Sequence, residues 1–222
     1  MSSTTEDYLK HIYVASESSG MKDGLVSLGW LAKSMGVTPG TVTTMMKHLQ
    51  EAGLVKYFQR SGVCLSPRGQ KEALEILRRH RLIELLLVEI IGLDWKYVHD
   101  EAEILEHAIS QRLLNRIDKL LNYPDTDPHG DPIPGANGVM PVQEGVPLSE
   151  IRPPCELSIT RVRHEKKQFL EFLSEKDLMP GKVLTLIDRD EMAGTLTIVR
   201  NRKTSIISLT AAEMIQVTRI SS

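Results

Sequence analysis

The sequence has few of the residues that mark disulfide-bonded, membrane-spanning or aromatic-rich proteins. Its 222 residues include only two cysteines, Cys64 and Cys155, which lie far apart and form no CxxC pair. Neither a disulfide framework nor a cysteine-rich zinc site is therefore expected. Aromatic residues make up 5% of the chain. The longest apolar stretch, residues 82–93, is interrupted by two glutamates and a glycine and is shorter than the roughly 20 residues of a membrane span.

The N-terminus also lacks the basic and apolar segments of a secretory signal, so we expect a cytoplasmic protein with no membrane partner. The net charge of −2 would argue against a polyanionic partner, but the charge is unevenly distributed. Residues 1–80 carry ten Lys and Arg against seven Asp and Glu, and the remaining residues carry seventeen against twenty-two. The basic N-terminal third is therefore where a nucleic-acid contact is expected.

That third has the pattern of a winged helix-turn-helix. A first helix from about Thr5 is predicted by apolar residues at helical spacing, Tyr8, Leu9, Ile12 and Tyr13. A second helix follows Ser27 and ends at Gly36, and a third begins at the N-cap Thr38 and ends near Gly53. The β-prone runs 54–58 and 63–65 around a polar glycine turn predict a hairpin wing.

In such a domain the third helix enters the major groove of DNA, so its outward side chains meet base edges and phosphates. We therefore predict double-stranded DNA as the partner. The predicted DNA-binding residues are Thr38, Pro39, Thr41, Thr43, Thr44, Lys47 and Arg60. Lys56 is a further phosphate candidate, and His48 is expected to be a solvated surface residue. A three-helix unit that serves only protein contacts is the alternative.

Residues 67–123 are predicted to form two long helices broken near Gly92. Residues 82–91 of the first helix are apolar on nearly every side, and a chain of this size lacks the material to cover such a helix alone. A homodimer would cover it. A dimer would also place two recognition helices about one DNA turn apart, as a palindrome requires.

Polar residues interrupt this apolar region at helical spacing. His80 and Glu84 are one turn apart on one helix, and the next helix carries His99, Glu103, Glu106 and His107. Imidazole and carboxylate ligands without thiolate suit Mn²⁺, Fe²⁺ or Zn²⁺. The spacing does not match HExxH, which argues against a metalloprotease. A solvated face of i to i+4 ion pairs is the alternative reading of these residues.

Several short motifs are specific when taken together. They are Thr5-Glu6-Asp7-Tyr8-Leu9 with Ile12-Tyr13, His80-Arg81-Leu82-Ile83-Glu84, Val98-His99-Asp100-Glu101-Ala102, Glu106-His107, and Asp127-Pro128-His129-Gly130-Asp131-Pro132-Ile133-Pro134. Over nearly the whole chain they resemble the metal-dependent repressors of the diphtheria toxin repressor and manganese transport regulator (DtxR/MntR) family, in the long form with a C-terminal SH3-like domain.

The resemblance implies two metal ions per subunit and assigns ligands to each. The primary, activating site would consist of Asp7, Glu103, Glu106 and His107. The ancillary site would consist of His80, Glu84, His99, Glu165 and Gln168. The remaining histidines, His11, His129 and His164, are expected to have structural or surface roles.

The resemblance also bears on the choice of metal. Iron-type members of the family have Met in place of Asp7 and Cys in place of Glu103, and loss of the two sulfur donors favours Mn²⁺ over Fe²⁺. Short manganese-type members carry a second acid where this chain has Lys10, so two separated sites are expected here.

The C-terminal part changes its pattern. Eight of the eleven prolines lie in residues 123–154, and short β-prone runs follow from Cys155 onward. We predict a mainly α protein with a small β domain. Its parts would be a winged helix-turn-helix (1–73), a helical dimerisation and metal-binding domain (74–140), a proline-rich linker (141–154) and an SH3-like, FeoA-like β-barrel (155–222).

The expected function is a manganese-activated repressor of metal-ion uptake genes that is not an enzyme. It would bind a palindromic operator as a homodimer, with one or two dimers per operator. The alternatives are an iron-activated repressor of the same family, a metal-dependent hydrolase with Glu103 or Glu106 as general base, and a winged-helix sensor of an organic ligand.

Overall fold

The computed structural model describes residues 2–17, 24–163 and 166–220, and the chain divides into two compact units. The first unit comprises residues 1–79 and 134–139, and the second comprises 80–133 and 140–222. Within the described ranges, no helix is both long and apolar enough to cross a membrane.

The first unit is built from helices and one hairpin. Helices α1 (Ser3–Glu17), α2 (Leu28–Ser34) and α3 (Pro39–Glu51) are followed by the antiparallel strands β1 (Val55–Phe58) and β2 (Gly62–Leu65). Its core contains fully buried apolar side chains of all three helices, Tyr8, Leu9, Ile12, Leu31, Val42, Met46 and Leu49. Val26 adds a bridge to Val63 beside the hairpin.

Local signals set the helix ends in this unit. Ser27 Oγ accepts a hydrogen bond from the Trp30 N–H (3.1 Å), and Thr38 Oγ1 accepts one from the Thr41 N–H (3.2 Å). Gly36 and Gly53 follow α2 and α3 with φ of 64° and 72°, a conformation that favours glycine. The predicted helix-turn-helix and its wing are confirmed.

Helix α4 (Pro67–Leu86) runs across the unit boundary and continues as a π-helical turn, Leu87–Ile91. Helices α5 (Val98–Leu105) and α6 (Gln111–Leu120) follow in the second unit. The prediction of one long helix after Gly92 is wrong. The chain leaves helical geometry after Leu105, and Ser110 caps a new helix by accepting a hydrogen bond from the Leu113 N–H (3.3 Å).

The C-terminal part of the second unit is an antiparallel sheet. In the described chain its strand order is β3-β8-β4-β5-β6-β7. The strands are β3 (Val146–Pro147), β4 (Cys155–Val162), β5 (Val183–Asp190), β6 (Thr195–Arg200), β7 (Lys203–Ser208) and β8 (Ile215–Arg219). Helix α7 (Lys167–Glu175), which was not predicted, follows β4, and α8 (Leu209–Glu213) precedes β8. The predicted class, mainly α with a small β domain, is confirmed.

Part of the segment predicted as a linker is structured. Val146 and Pro147 pair with β8, and a 3₁₀ turn follows at Leu148–Glu150. Leu148 and Ile151 supply apolar side chains to the core of the sheet domain, and Leu148 is fully buried there. The surrounding prolines obscure this apolar pattern in the sequence. Trp95, from the loop before α5, belongs to the same core.

Candidate metal centre and nucleic-acid interface

The predicted DNA-binding residues lie at the surface of the first unit. All are exposed except Thr43, which is half-buried. Thr43 Oγ1 donates to the Pro39 carbonyl (2.9 Å) and Thr44 Oγ1 to the Gly40 carbonyl (3.1 Å). Because these hydroxyls bond to their own helix, their methyl groups are the part suited to contact a base, as in apolar contacts with the thymine methyl.

The wing is tied to the recognition helix. Gln50 Oε1 at the end of α3 accepts a hydrogen bond from the Tyr57 N–H in β1 (2.9 Å). Arg60 lies in the turn between the strands with φ of 68° and is exposed, as is Lys56. Two basic side chains therefore stand on a hairpin that is fixed to α3, as phosphate contacts require.

In the second unit, three of the predicted ancillary ligands come together. His80 Nε2 lies 3.0 Å from Glu84 Oε1 and 3.2 Å from His99 Nδ1, and His99 Nδ1 lies 3.4 Å from Glu84 Oε1. Neighbouring ligands around an octahedral ion with bonds of about 2.1 Å are separated by distances of this size. We call these three residues, together with Glu103, the open set.

Glu103 is at the edge of this set. Its Oε1 lies 3.7 Å from His99 Nε2 and 3.9 Å from His80 Nδ1. The side chains of His99 and Glu103 are 33% and 36% exposed, so an ion could reach the open set from solvent. Helical spacing on α4 and α5 predicted that His80 and Glu84 share a face. The grouping of these two residues with His99 was implied by the family resemblance, which assigned Glu103 to the primary site instead.

Glu106 orients His80. His80 Nδ1–H donates to Glu106 Oε2 (2.5 Å), and Glu106 Oε1 lies 3.6 Å from His107 Nε2. With the proton of His80 directed to a carboxylate, Nε2 is the nitrogen that faces Glu84 and His99. A carboxylate that receives the second N–H of a ligating histidine fixes its tautomer and ring orientation. Glu106 is fully buried, which protects this contact from water.

A second set lies on the other side of Glu84. Glu84, Asp127 and His129 are all buried and bring ligand atoms within 4.8 Å of one another. Glu84 Oε2 lies 4.0 Å from His129 Nδ1. We call these residues the buried set. Glu84 belongs to both sets, with one oxygen facing each.

The sequence did not predict the buried set. His129 was expected to have a structural or surface role, and the structure shows its side chain 1% exposed and facing Glu84. The available signal was the run Asp127-Pro128-His129, which holds two ligand-type residues in one turn. Asp127 Oδ1 organises that turn by accepting hydrogen bonds from the N–H groups of His129 (2.8 Å) and Asp131 (2.9 Å).

The charges in this region favour a cation. Burial raises the pKa of Asp127 well above its ordinary value, and the nearby carboxylates of Asp131 and Glu84 raise it further, with Arg81 opposing. Burial also disfavours the ionised form of Glu84, but His80, His99 and His129 outweigh it and lower the pKa of Glu84. A divalent cation would offset the repulsion among these buried carboxylates.

The other predicted ligands are placed as follows. Asp7 lies on α1 in the first unit, and Gln168 is exposed in the first turn of α7. Glu165, a predicted ancillary ligand, and His164 lie outside the described residues. His11, half-buried on α1, contacts Ser34 Oγ through Nδ1 (2.9 Å), in keeping with a structural role.

Comparisons with known proteins agree with this architecture. Residues 1–63 match the family described as "Iron dependent repressor, N-terminal DNA binding domain", and residues 66–135 match "Iron dependent repressor, metal binding and dimerisation domain". Residues 146–219 match the FeoA domain.

Individual relatives cover most of the chain. The diphtheria toxin repressor of Corynebacterium diphtheriae is 32% identical over 212 residues, which is 90% of each chain. The chain belongs to the iron-dependent repressor family. The match to the iron-dependent repressor IdeR of Mycobacterium leprae is 37% identical over 133 residues, 60% of this chain and 56% of that protein.

Among solved structures, a manganese-dependent transcriptional repressor in complex with manganese is 37% identical, with a TM-score of 0.86, and the match covers 97% of this chain and 100% of that one. Family membership places the chain among metal-dependent transcriptional repressors that bind DNA and dimerise, and not among enzymes.

Proposed function

We propose that this family member acts in the cytoplasm and is activated by Mn²⁺ to bind a palindromic operator. It would thereby repress genes for metal-ion uptake. The observation that carries the proposal is the pair of nitrogen and oxygen ligand sets around Glu84. Neither set contains a cysteine, and carboxylate-rich sites without thiolate suit Mn²⁺ better than softer metals. Fe²⁺ activation is the alternative.

The two sets suggest where the ions bind. The ancillary ion would be held by His80 Nε2, Glu84 Oε1 and His99 Nδ1, with Glu103 nearby. Glu84, Asp127 and His129 form a further candidate set, in addition to the two ions per subunit that the resemblance implies. The separation of 4.0 Å between Glu84 Oε2 and His129 Nδ1 is too long for a hydrogen bond but is close to two ligand bonds of about 2.0–2.2 Å. Glu165 and Gln168 remain proposed additional ligands from the resemblance.

The activating role is assigned to the set that contains Asp7. By resemblance, Asp7 would bind an ion together with Glu103, Glu106 and His107, and the 3.6 Å separation of Glu106 and His107 supports the shared position of these two. An ion bound in this way would tie α1 to the dimerisation region. It would thereby favour one arrangement of the DNA-binding domains and raise operator affinity by population shift.

The dimer has physical support in the second unit. Several large apolar side chains of its helical region are exposed in the single chain, Ile90, Ile91, Leu93, Ile104, Leu105, Leu113 and Leu120. Large apolar side chains exposed in this number within one helical region favour an interface. A two-fold symmetric dimer would present two recognition helices to a palindrome, with one or two dimers on each operator.

The test of the activating site is Asp7→Ala. We expect the variant to dimerise as before and to lose Mn²⁺-dependent operator binding, measured by fluorescence anisotropy of labelled operator DNA. Glu17→Ala, an exposed position on the same helix, is the matched control and should behave as the unsubstituted protein. Unchanged Mn²⁺ activation in Asp7→Ala would show that Asp7 is not a ligand.

A further inference from the structure

Trp95 is held by the C-terminal sheet domain, although it belongs to the loop between the π-helical turn and α5. Its side chain is 7% exposed and belongs to the core of that domain. Its indole N–H donates to Ser174 Oγ on α7 (2.8 Å), and Ser174 Oγ in turn donates to the Leu170 carbonyl (2.9 Å). Trp95 therefore attaches this loop to α7 through a hydrogen bond and to the sheet core through packing.

Trp95 contacts a residue of the buried set in two ways. Its ring stacks on the ring of His129, with centroids 5.3 Å apart and planes at 23°. Its carbonyl oxygen lies 3.2 Å from His129 Nε2, so Nε2 is the nitrogen that donates. In the neutral imidazole this leaves the lone pair on Nδ1, the nitrogen that faces Glu84 Oε2 at 4.0 Å.

The turn that carries His129 is also attached to the sheet. The His129 carbonyl accepts a hydrogen bond from the Val162 N–H in β4 (2.8 Å), and Arg161 pairs with Asp131. Gly130 has φ of 82°, and an added Cβ would lie 2.1 Å from the Thr160 carbonyl oxygen. A side chain at position 130 would therefore collide with β4. The loop that carries Trp95 and the turn that carries His129 are therefore both attached to the C-terminal domain.

We propose that Trp95 is a positioning residue, through which the C-terminal domain sets the affinity of the buried set for a divalent cation. This inference rests on the proposed function, because it requires His129 to bind metal. Stacking fixes the plane of the imidazole and the Trp95 carbonyl fixes its tautomer, so the ligand is oriented before the ion arrives. A pre-oriented ligand binds more tightly because less ordering accompanies binding.

The test follows Mn²⁺ binding through Trp95 itself. The chain has two tryptophans, so Trp30→Phe leaves Trp95 as the sole indole. In this background Mn²⁺ alone should change Trp95 emission in a saturable way, and His129→Gln should abolish the change. Adding Ser174→Ala, which removes the hydrogen bond to the indole, should raise the Mn²⁺ midpoint about threefold to tenfold, the usual worth of one hydrogen bond.

Two further variants separate positioning from general destabilisation. Ser174→Thr keeps the hydroxyl acceptor and should restore the original midpoint. Ser205→Ala, on β7, makes the same chemical change elsewhere in the domain and should leave the midpoint unchanged. Thermal unfolding of each variant without metal shows whether folding is altered, and the Mn²⁺ midpoint of Ser174→Thr decides the matter if Ser174→Ala is unstable.

The outcomes distinguish this inference from the function beneath it. If equilibrium dialysis shows no bound Mn²⁺ in the unsubstituted protein, the proposed function fails. If Mn²⁺ binds but Trp95 emission does not respond, or if the midpoint of Ser174→Ala equals that of Ser205→Ala, the positioning role of Trp95 is wrong.

Discussion

The two ligand sets share Glu84 but differ in how they are built. The open set includes the exposed edges of His99 and Glu103, and its residues follow helical spacing on α4 and α5. The buried set joins Glu84 to a turn 43 to 45 residues further along the chain. The side chains of Glu84, Asp127 and His129 are 2%, 2% and 1% exposed.

Access of an ion from solvent and affinity for that ion therefore depend on different residues of the second unit. Carboxylates withdrawn from water are costly unless a counter-charge is present, so the buried set gains more from a cation than a solvated cluster would. The open set is reached directly from solvent. Because Glu84 faces both, occupancy of one set is expected to change the affinity of the other.

The largest effect is expected from removing the shared ligand. Glu84→Gln should weaken Mn²⁺ binding at both sets, by more than the roughly 10–100-fold that loss of an outer-shell partner costs. Isothermal titration and equilibrium dialysis would measure this affinity and the number of bound ions. Glu75→Gln, an exposed position on the same helix, is the matched control. Undiminished Mn²⁺ binding by Glu84→Gln would show that neither set depends on Glu84.

A smaller effect is expected on stability. The raised pKa of Asp127 means that the folded protein holds this proton more tightly than the unfolded chain does. The resulting stability is fully present below the ordinary carboxyl pKa of about 4 and is lost as pH rises through the raised value. Asp127→Asn carries no charge at any of these pH values. It should therefore stabilise the metal-free protein at neutral pH by about 1–2 kcal/mol, the usual range for one stabilising change.

Thermal unfolding of metal-free protein from pH 4 to pH 8 checks this prediction. The unsubstituted protein should lose stability relative to Asp127→Asn as the pH rises. Saturating Mn²⁺ should reverse the order, because it stabilises the protein with an intact buried set more than the variant, which keeps only the other ligand sets. Glu84 acts in the opposite direction, because its lowered pKa gives stability at neutral pH that is lost in acid. Parallel curves for the two metal-free proteins would mean that Asp127 carries no perturbed charge.

The same contrast explains what the sequence could predict. Ser27 and Thr38 act on the backbone three residues away, so the helix-turn-helix was predictable from local chemistry. Within the open set, helical periodicity predicted that His80 lies beside Glu84, whereas the resemblance supplied His99 and assigned Glu103 to the primary site. The buried set depends on packing of the turn at Asp127 against β4, and no local periodicity encodes such a contact.

Errors in the predicted elements have a similar origin. The break before Ser110 was missed because the apolar pattern of α5 and α6 continues across it. The start of α6 is marked only by the Ser110 hydroxyl, which accepts a hydrogen bond from the Leu113 N–H. The strand at Val146 was missed because proline composition dominates its surroundings. In both places a specific contact, the Ser110 cap or the pairing of Val146 with β8, decides the structure against the average composition of the segment.

If metal controls operator binding, titrations with and without metal should differ in specific DNA affinity. The protein is titrated onto DNA fragments selected from a palindrome pool, at fixed salt because phosphate contacts make affinity steeply salt-dependent. Parallel titrations contain chelator, Mn²⁺, anaerobic Fe²⁺ or Zn²⁺. We predict specific binding at lower concentrations of Mn²⁺ than of Fe²⁺ or Zn²⁺, and none in chelator. Equally tight specific binding in chelator would show that metal does not control operator binding.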